Sequence, residues 1–166
     1  MVKDISCKQS LTNLELINLR STLNLYGDIS SFHNLNKLIY LYIVGDGLNR
    51  FIDITGDIAV LSKLTNLQQI GFACTNVYGN ISSLRNLSNL GYIFFSDSST
   101  ISGDIANLNN LGFMNVEQYR SYASVNVWLP NFNPIDVHLS SCPNIYGEIS
   151  VFSKYRNLRA LVVNNT

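Results

Sequence analysis

Cysteine, charge and long apolar runs are all scarce in this 166-residue chain, and each shortage removes a class of protein. There are three cysteines, Cys7, Cys74 and Cys142, an odd number with no CxxC spacing. A disulfide-stapled scaffold or a zinc ribbon needs paired or clustered cysteines, and there is no HxxxH spacing either. No metal or cofactor is therefore expected. Charged residues are only 13% of the chain and the formal net charge is zero. Without a basic stripe, nucleic acid is not an expected partner, and no polybasic segment marks a membrane surface. The longest apolar run, Leu38 to Val44, is seven residues. A membrane-spanning helix needs roughly 20, so membrane insertion is not expected. The first seven residues lack the apolar stretch of a signal peptide. Export would require a signal that was removed or that lay on a longer parent.

What the chain does have is repetition. Tyr26-Gly27-Asp28-Ile29-Ser30 returns as Thr55-Gly56-Asp57-Ile58-Ala59, Tyr78-Gly79-Asn80-Ile81-Ser82, Ser102-Gly103-Asp104-Ile105-Ala106 and Tyr146-Gly147-Glu148-Ile149-Ser150. Self-similarity at twenty-odd residues is the mark of a solenoid, whose coils bury their apolar residues only by stacking. After Ile58 come Leu61, Leu64, Leu67, Ile70 and Phe72; after Ile81 come Leu84, Leu87, Leu90, Ile93 and Phe95. Ile29 and Ile149 lead similar series. Spacing by three predicts tight 3₁₀-like turns, and the final spacing by two predicts a short strand. The Gly supplies a backbone geometry that a Cβ would hinder. The Asp after it is expected to accept bonds from nearby amides rather than to bind calcium. With Ile5, Ile29, Ile58, Ile81, Ile105, Val127 and Ile149 as markers, the steps are 24, 29, 23, 24, 22 and 22, which gives about seven coils in one domain over 1–166. In the fifth coil, a one-residue slip that buries Phe113 and Val116 keeps Glu117 out of the core.

The pattern Ile-x-Gly-Asp-Ile-x-x-Leu-x-x-Leu-x-x-Leu-x-x-Ile-x-Phe resembles the leucine-rich repeat family, in its plant-type and bacterial cell-surface form of about 24 residues per repeat. Two features depart from that form. Ser or Ala stands where the plant-type consensus has Pro, and Thr22, Asp46, Thr75 and Ser98 stand where it has the turn-closing Asn. The resemblance implies an α/β solenoid: a right-handed superhelix with a curved parallel sheet of short strands and a mostly irregular or 3₁₀ convex side. It also implies binding by outward strand residues on the concave face. By position these are Tyr40, Tyr42, Gln69, Gly71, Tyr92, Phe94, Gln118, Arg120, Asp136 and His138. The small residues Gly71 and Ala73 between aromatic strands are expected to leave a shallow trough with aromatic walls.

These features lead to a non-catalytic module that recognises a protein partner. The alternatives are a structural component stacking through its terminal coils as a homo-oligomer, and a carbohydrate binder using the trough. Asp136, His138 and Cys142 have catalytic residue types, but Asp136 and His138 alternate with Val137 and Leu139 and so belong to the outward face of a strand. Cys74 and Cys142, read as three coils apart, would be about 14 Å from each other, too far for a bridge. The worn Gly-Asp-Ile form points to a bacterial or phage protein. It would sit at the cell surface or be secreted if part of a longer exported chain, and be cytoplasmic or virion-associated otherwise. The chain ends on a strand with no capping sequence, as expected of a piece of a longer array or of a coil that a partner covers.

Overall fold

A computed structural model describes residues 3–8, 10–20, 24–45, 52–97, 100–112 and 135–164. Among them each coil contributes two short strands. The front sheet contains β2 (Leu16–Asn18), β4 (Tyr40–Val44), β6 (Gln69–Ala73), β8 (Tyr92–Ser96), β10 (Ile135–Ser140) and β12 (Leu158–Val162). A second sheet, which the repeat spacing did not announce, runs along the Gly phrases. Its strands are β1 (Lys3–Asp4), β3 (Leu25–Asp28), β5 (Ile52–Asp57), β7 (Thr75–Asn80), β9 (Ile101–Asp104) and β11 (Asn144–Tyr146). All pairing is parallel, and each strand lies beside its counterpart in the next coil.

The three-residue spacing has a direct physical cause. Backbone amides bond back three residues in succession: Leu64 to Leu61 at 2.9 Å and Leu67 to Leu64 at 3.0 Å, with the same geometry in Leu87 to Leu84 and Leu90 to Leu87. Side chains three apart then lie on one side and all point inward. These leucines are buried and join Ile70, Phe72, Ile93 and Phe95 in one continuous core. The rings of Phe72 and Phe95 stack with centroids 6.1 Å apart. Between coils, Asn66 donates to the Asn36 carbonyl at 2.7 Å and Asn89 to the Thr65 carbonyl at 2.8 Å. These amides form a ladder before the strand, not after it.

The Gly phrase locks one coil to the one before it. Gly79 has φ +123°, and a Cβ there would lie 2.3 Å from Asp57 Oδ1 and 3.0 Å from Ile58 Cγ1. Asp57 Oδ1 meanwhile accepts the Ala59 amide at 2.8 Å and caps the 3₁₀ turn. Asp28, Asn80 and Asp104 cap their turns the same way. The repeated aspartates are thus turn caps, whereas Glu148 at the same place makes no cap bond. Ile149 is the exception among the marker isoleucines. Ile5, Ile29, Ile58, Ile81 and Ile105 are buried, whereas Ile149 is 59% exposed. Ile58 lies under Gly79 and Ile105 under Gly147, and no described glycine covers Ile149.

The strand pairing also sets the order of the later described strands. β10 bonds directly to β8, with Asp136 opposite Tyr92 and His138 opposite Phe94, and β11 bonds to β9. Among the described residues no strand separates them, and these residues form six coils. Phe113, Val116, Glu117, Gln118, Arg120 and Val127 lie outside the described residues, as do Thr22, Asp46 and Ser98. Cys74 and Cys142, which follow β6 and β10, are therefore two coils apart. Both are buried free thiols; the Cys7 side chain is outside the described set.

Candidate functional site

The outward residues of the front sheet stand in straight rows because equivalent positions pair across every coil. Tyr40, Gln69, Tyr92, Asp136 and Ala160 form one row; Tyr42, Gly71, Phe94, His138 and Val162 form the next. Inward residues alternate with them, as the strand period requires.

The rows are more closed than the sequence suggested. Tyr40, Tyr42, Gln69, Gly71 and Asp136 are buried, although neither tyrosine belongs to the central apolar core. The trough over Gly71 is filled by Tyr42. A Cβ on Gly71 would lie 2.7 Å from Tyr42 Cδ1, so the missing side chain is what lets the ring lie there. The Tyr42 hydroxyl donates to Gln69 Oε1. Its ring meets Tyr92 edge-on at 6.0 Å, and the Arg20 guanidinium sits 5.8 Å from its centroid. Such contacts contribute about 0.5–1.5 kcal/mol for an aromatic pair and about 0.5–1 kcal/mol for an exposed cation–π pair. Gln69 Nε2 is left buried without a partner among the described residues.

The open part of the face lies over β8 and β10. Tyr92, Phe94 and His138 are half-buried. His138 stacks on Tyr92 at 6.1 Å and tilts against Phe94 at 5.9 Å. Burial lowers the His138 pKa; the nearby Asp136 carboxylate opposes this shift and Arg159 adds to it. Asp136 is buried and held by Arg159, whose Nε donates at 3.0 Å to Oδ1 while Nη2 donates to Oδ2. This bidentate pair raises the Arg159 pKa further. Strict alternation would turn Arg159 inward and miss it. The register shifts at this point, Ile135 facing Leu158 and Asp136 facing Ala160, so Arg159 is the extra residue of a bulge, which re-aims its side chain. An arginine at an inward position of Leu158-Arg-Ala-Leu-Val162 was the available signal.

Asp136, His138 and Cys142 do not assemble into a catalytic group. The Cys142 thiol points into the core and contacts the carbonyls of Phe95 at 3.6 Å and Ser140 at 3.4 Å. His138 stays on the outward face, and Asp136 is committed to Arg159.

Two parallel sheets of short strands joined by capped 3₁₀ turns, with a leucine ladder inside, define a leucine-rich repeat solenoid. The chain is similar to internalin C2 from Listeria monocytogenes, a solved structure with 24% identity and a TM-score of 0.59, over 96% of this chain and 56% of that one. An internalin (inlF) from the same bacterium aligns over 98% of this chain and 58% of its own length, at 17% identity and a TM-score of 0.34, too low to carry an argument. The chain thus spans little more than half the length of either structure. No protein-family model matches the chain, and no curated protein matches it. Among the described residues, no helix is long and apolar enough to cross a membrane.

Proposed function

We propose that the chain is a non-catalytic module that binds a protein partner through the outward face of its front sheet. The observation that carries this reading is the cluster of Tyr92, Phe94 and His138: half-exposed rings fixed against one another, with Arg20 and Arg159 nearer the two ends of the sheet. Rigid aromatics beside arginine are the usual composition of binding hot spots. A sugar-binding trough is a weaker reading, because Tyr42 already occupies it. Display-selected peptides that bind the wild-type chain should lose about thirtyfold in affinity, or about 2 kcal/mol, for Tyr92→Ser with Phe94→Ser. Unchanged affinity in a variant that melts like wild type would overturn the proposal.

A second reading, assembly through the last coil, has one observation in its favour. Ile149 is exposed, and Leu158, Leu161 and Val163 are only partly buried. Such an apolar surface fits a second copy or a further coil. A mass that rises with concentration in light scattering, and that Ile149→Ser keeps monomeric, would support the second copy.

A further inference from the structure

The tyrosines of the Gly phrases are a repeated feature that neither the front sheet nor the turn caps use. Tyr26, Tyr78 and Tyr146 sit on the outward face of the second sheet and are 39%, 47% and 65% exposed. They lie in every second coil, with Thr55 and Ser102 at the equivalent positions between them. None of the three side chains makes a hydrogen bond, ion pair or ring contact with a described residue.

Their neighbours are carboxylates, and the cause is the register. In the second sheet the pairing is offset by two residues from the repeat. Asp4 therefore stands opposite Tyr26, Asp57 opposite Tyr78 and Asp104 opposite Tyr146, and Asp53 faces Tyr26 from the other side. Six of the chain's eleven carboxylates, at 4, 28, 53, 57, 104 and 148, lie on or beside these strands. Against these six, the strands of this sheet carry one basic residue, Lys3 of the terminal strand β1, and β3, β5, β7, β9 and β11 contain no Lys or Arg. On a chain of zero net charge, this makes one negative, aromatic-studded face.

We infer that this second face binds a protein segment rich in arginine, each guanidinium lying on a tyrosine ring while pairing with the adjacent carboxylate. Charge complementarity selects a cationic partner, and the lone rings select arginine over lysine, because the planar guanidinium stacks and an ammonium does not. The caps can serve both roles: Asp57 uses Oδ1 for the Ala59 amide and retains its charge and Oδ2. A neutral polysaccharide would use the rings but not the carboxylates. This face is separate from the one proposed above for the main partner, so either reading can fail without the other.

The test is a fluorescein-labelled peptide of alternating Arg and Gly, titrated into the full chain by fluorescence anisotropy at low and moderate salt. The variant is Tyr26→Ser with Tyr78→Thr and Tyr146→Ser, which installs the residue types that the other coils already carry at this position and so keeps the fold. Wild type should bind, a Lys-Gly peptide should bind more weakly, and the triple variant should lose about tenfold or more. Tyr92→Ser with Phe94→Ser should leave this binding unchanged. Absence of binding, equal binding by the triple variant, or loss on changing the front-sheet residues would each overturn the inference. So would retention by the triple variant of salt-sensitive binding at full strength, which would mark attraction between charges alone. Binding of a chitin oligosaccharide that the triple variant loses would assign the rings to sugar instead.

Discussion

The two sheets carry the same kinds of residue and treat them in opposite ways. In the front sheet, Tyr42 is packed over Gly71, hydrogen-bonded to Gln69 and covered by Arg20. In the second sheet, Tyr26, Tyr78 and Tyr146 touch nothing comparable and stand exposed. Composition cannot explain the difference; register does. Front strands pair position for position, so an aromatic side chain meets its own row and a glycine beside it becomes a seat for the ring. Second-sheet strands are offset by two residues, so each tyrosine meets a cap carboxylate instead of another ring. In a repeat protein, the register of each sheet decides whether a repeated side chain serves the fold or the surface.

The largest expected effect strikes what the two faces share. Leu67→Ala should cost about 2–5 kcal/mol, because Leu67 is fully buried in the stacked core that supports both sheets. Denaturant unfolding should show both faces lost in one transition; a cost below about 1 kcal/mol would mean that the coils do not stack in this register.

Arg159→Ala should act on the front face alone. It strands the buried Asp136 and should cost roughly 3 kcal/mol, at the lower end for a broken buried pair because Arg159 is itself 37% exposed. Asp136→Asn combined with Arg159→Ala should recover part of the loss.

A pair of glycine substitutions sharpens the contrast further. Gly79→Ala should cost more than about 1 kcal/mol, since φ is +123° and the new Cβ would strike the capping carboxylate of Asp57. Gly71→Ala would clash with the Tyr42 ring and make ordinary contact with Phe94 Cβ, so it should cost less, while displacing the Tyr42 ring into solvent. Equal costs, with Tyr42 unmoved in the aromatic NMR spectrum, would contradict the packing described for the front face.

The smallest effect is with pH. Burial holds the folded His138 pKa below the ordinary value, so the unfolded chain takes up this proton more readily. Stability from this site is therefore full above about pH 6.5, the unfolded value, and declines as the pH falls below it until the folded pKa has been passed. His138→Phe should flatten that part of the stability profile. A profile equally steep in the variant would assign the slope to another group.

Much of the fold was legible in the chain. Leucines three apart could only face one side through repeated i to i+3 turns, and those bonds are present. The Gly-Asp pairs read correctly as a strained turn and its cap. The second sheet was not legible, because Gly and polar residues leave at most two apolar positions in any of its strands. Spacing could not show which strands are neighbours between Ile105 and Ile149, and only strand pairing reveals that β8 and β10 are. At the candidate site, alternation correctly set the direction of Tyr42, Phe94 and His138. Exposure was beyond it, since that depends on how a ring leans toward the next coil.

The contrast between the two faces can be measured directly by tyrosine nitration of the folded chain, read residue by residue by mass spectrometry. Tyr26, Tyr78 and Tyr146 should react first, with Tyr146, at 65% exposure, the fastest of the three. Tyr40 and Tyr42 should stay protected until the chain unfolds. Nitration of Tyr42 as fast as Tyr146 would contradict the account, because it would mean that the front-sheet ring is not packed over Gly71.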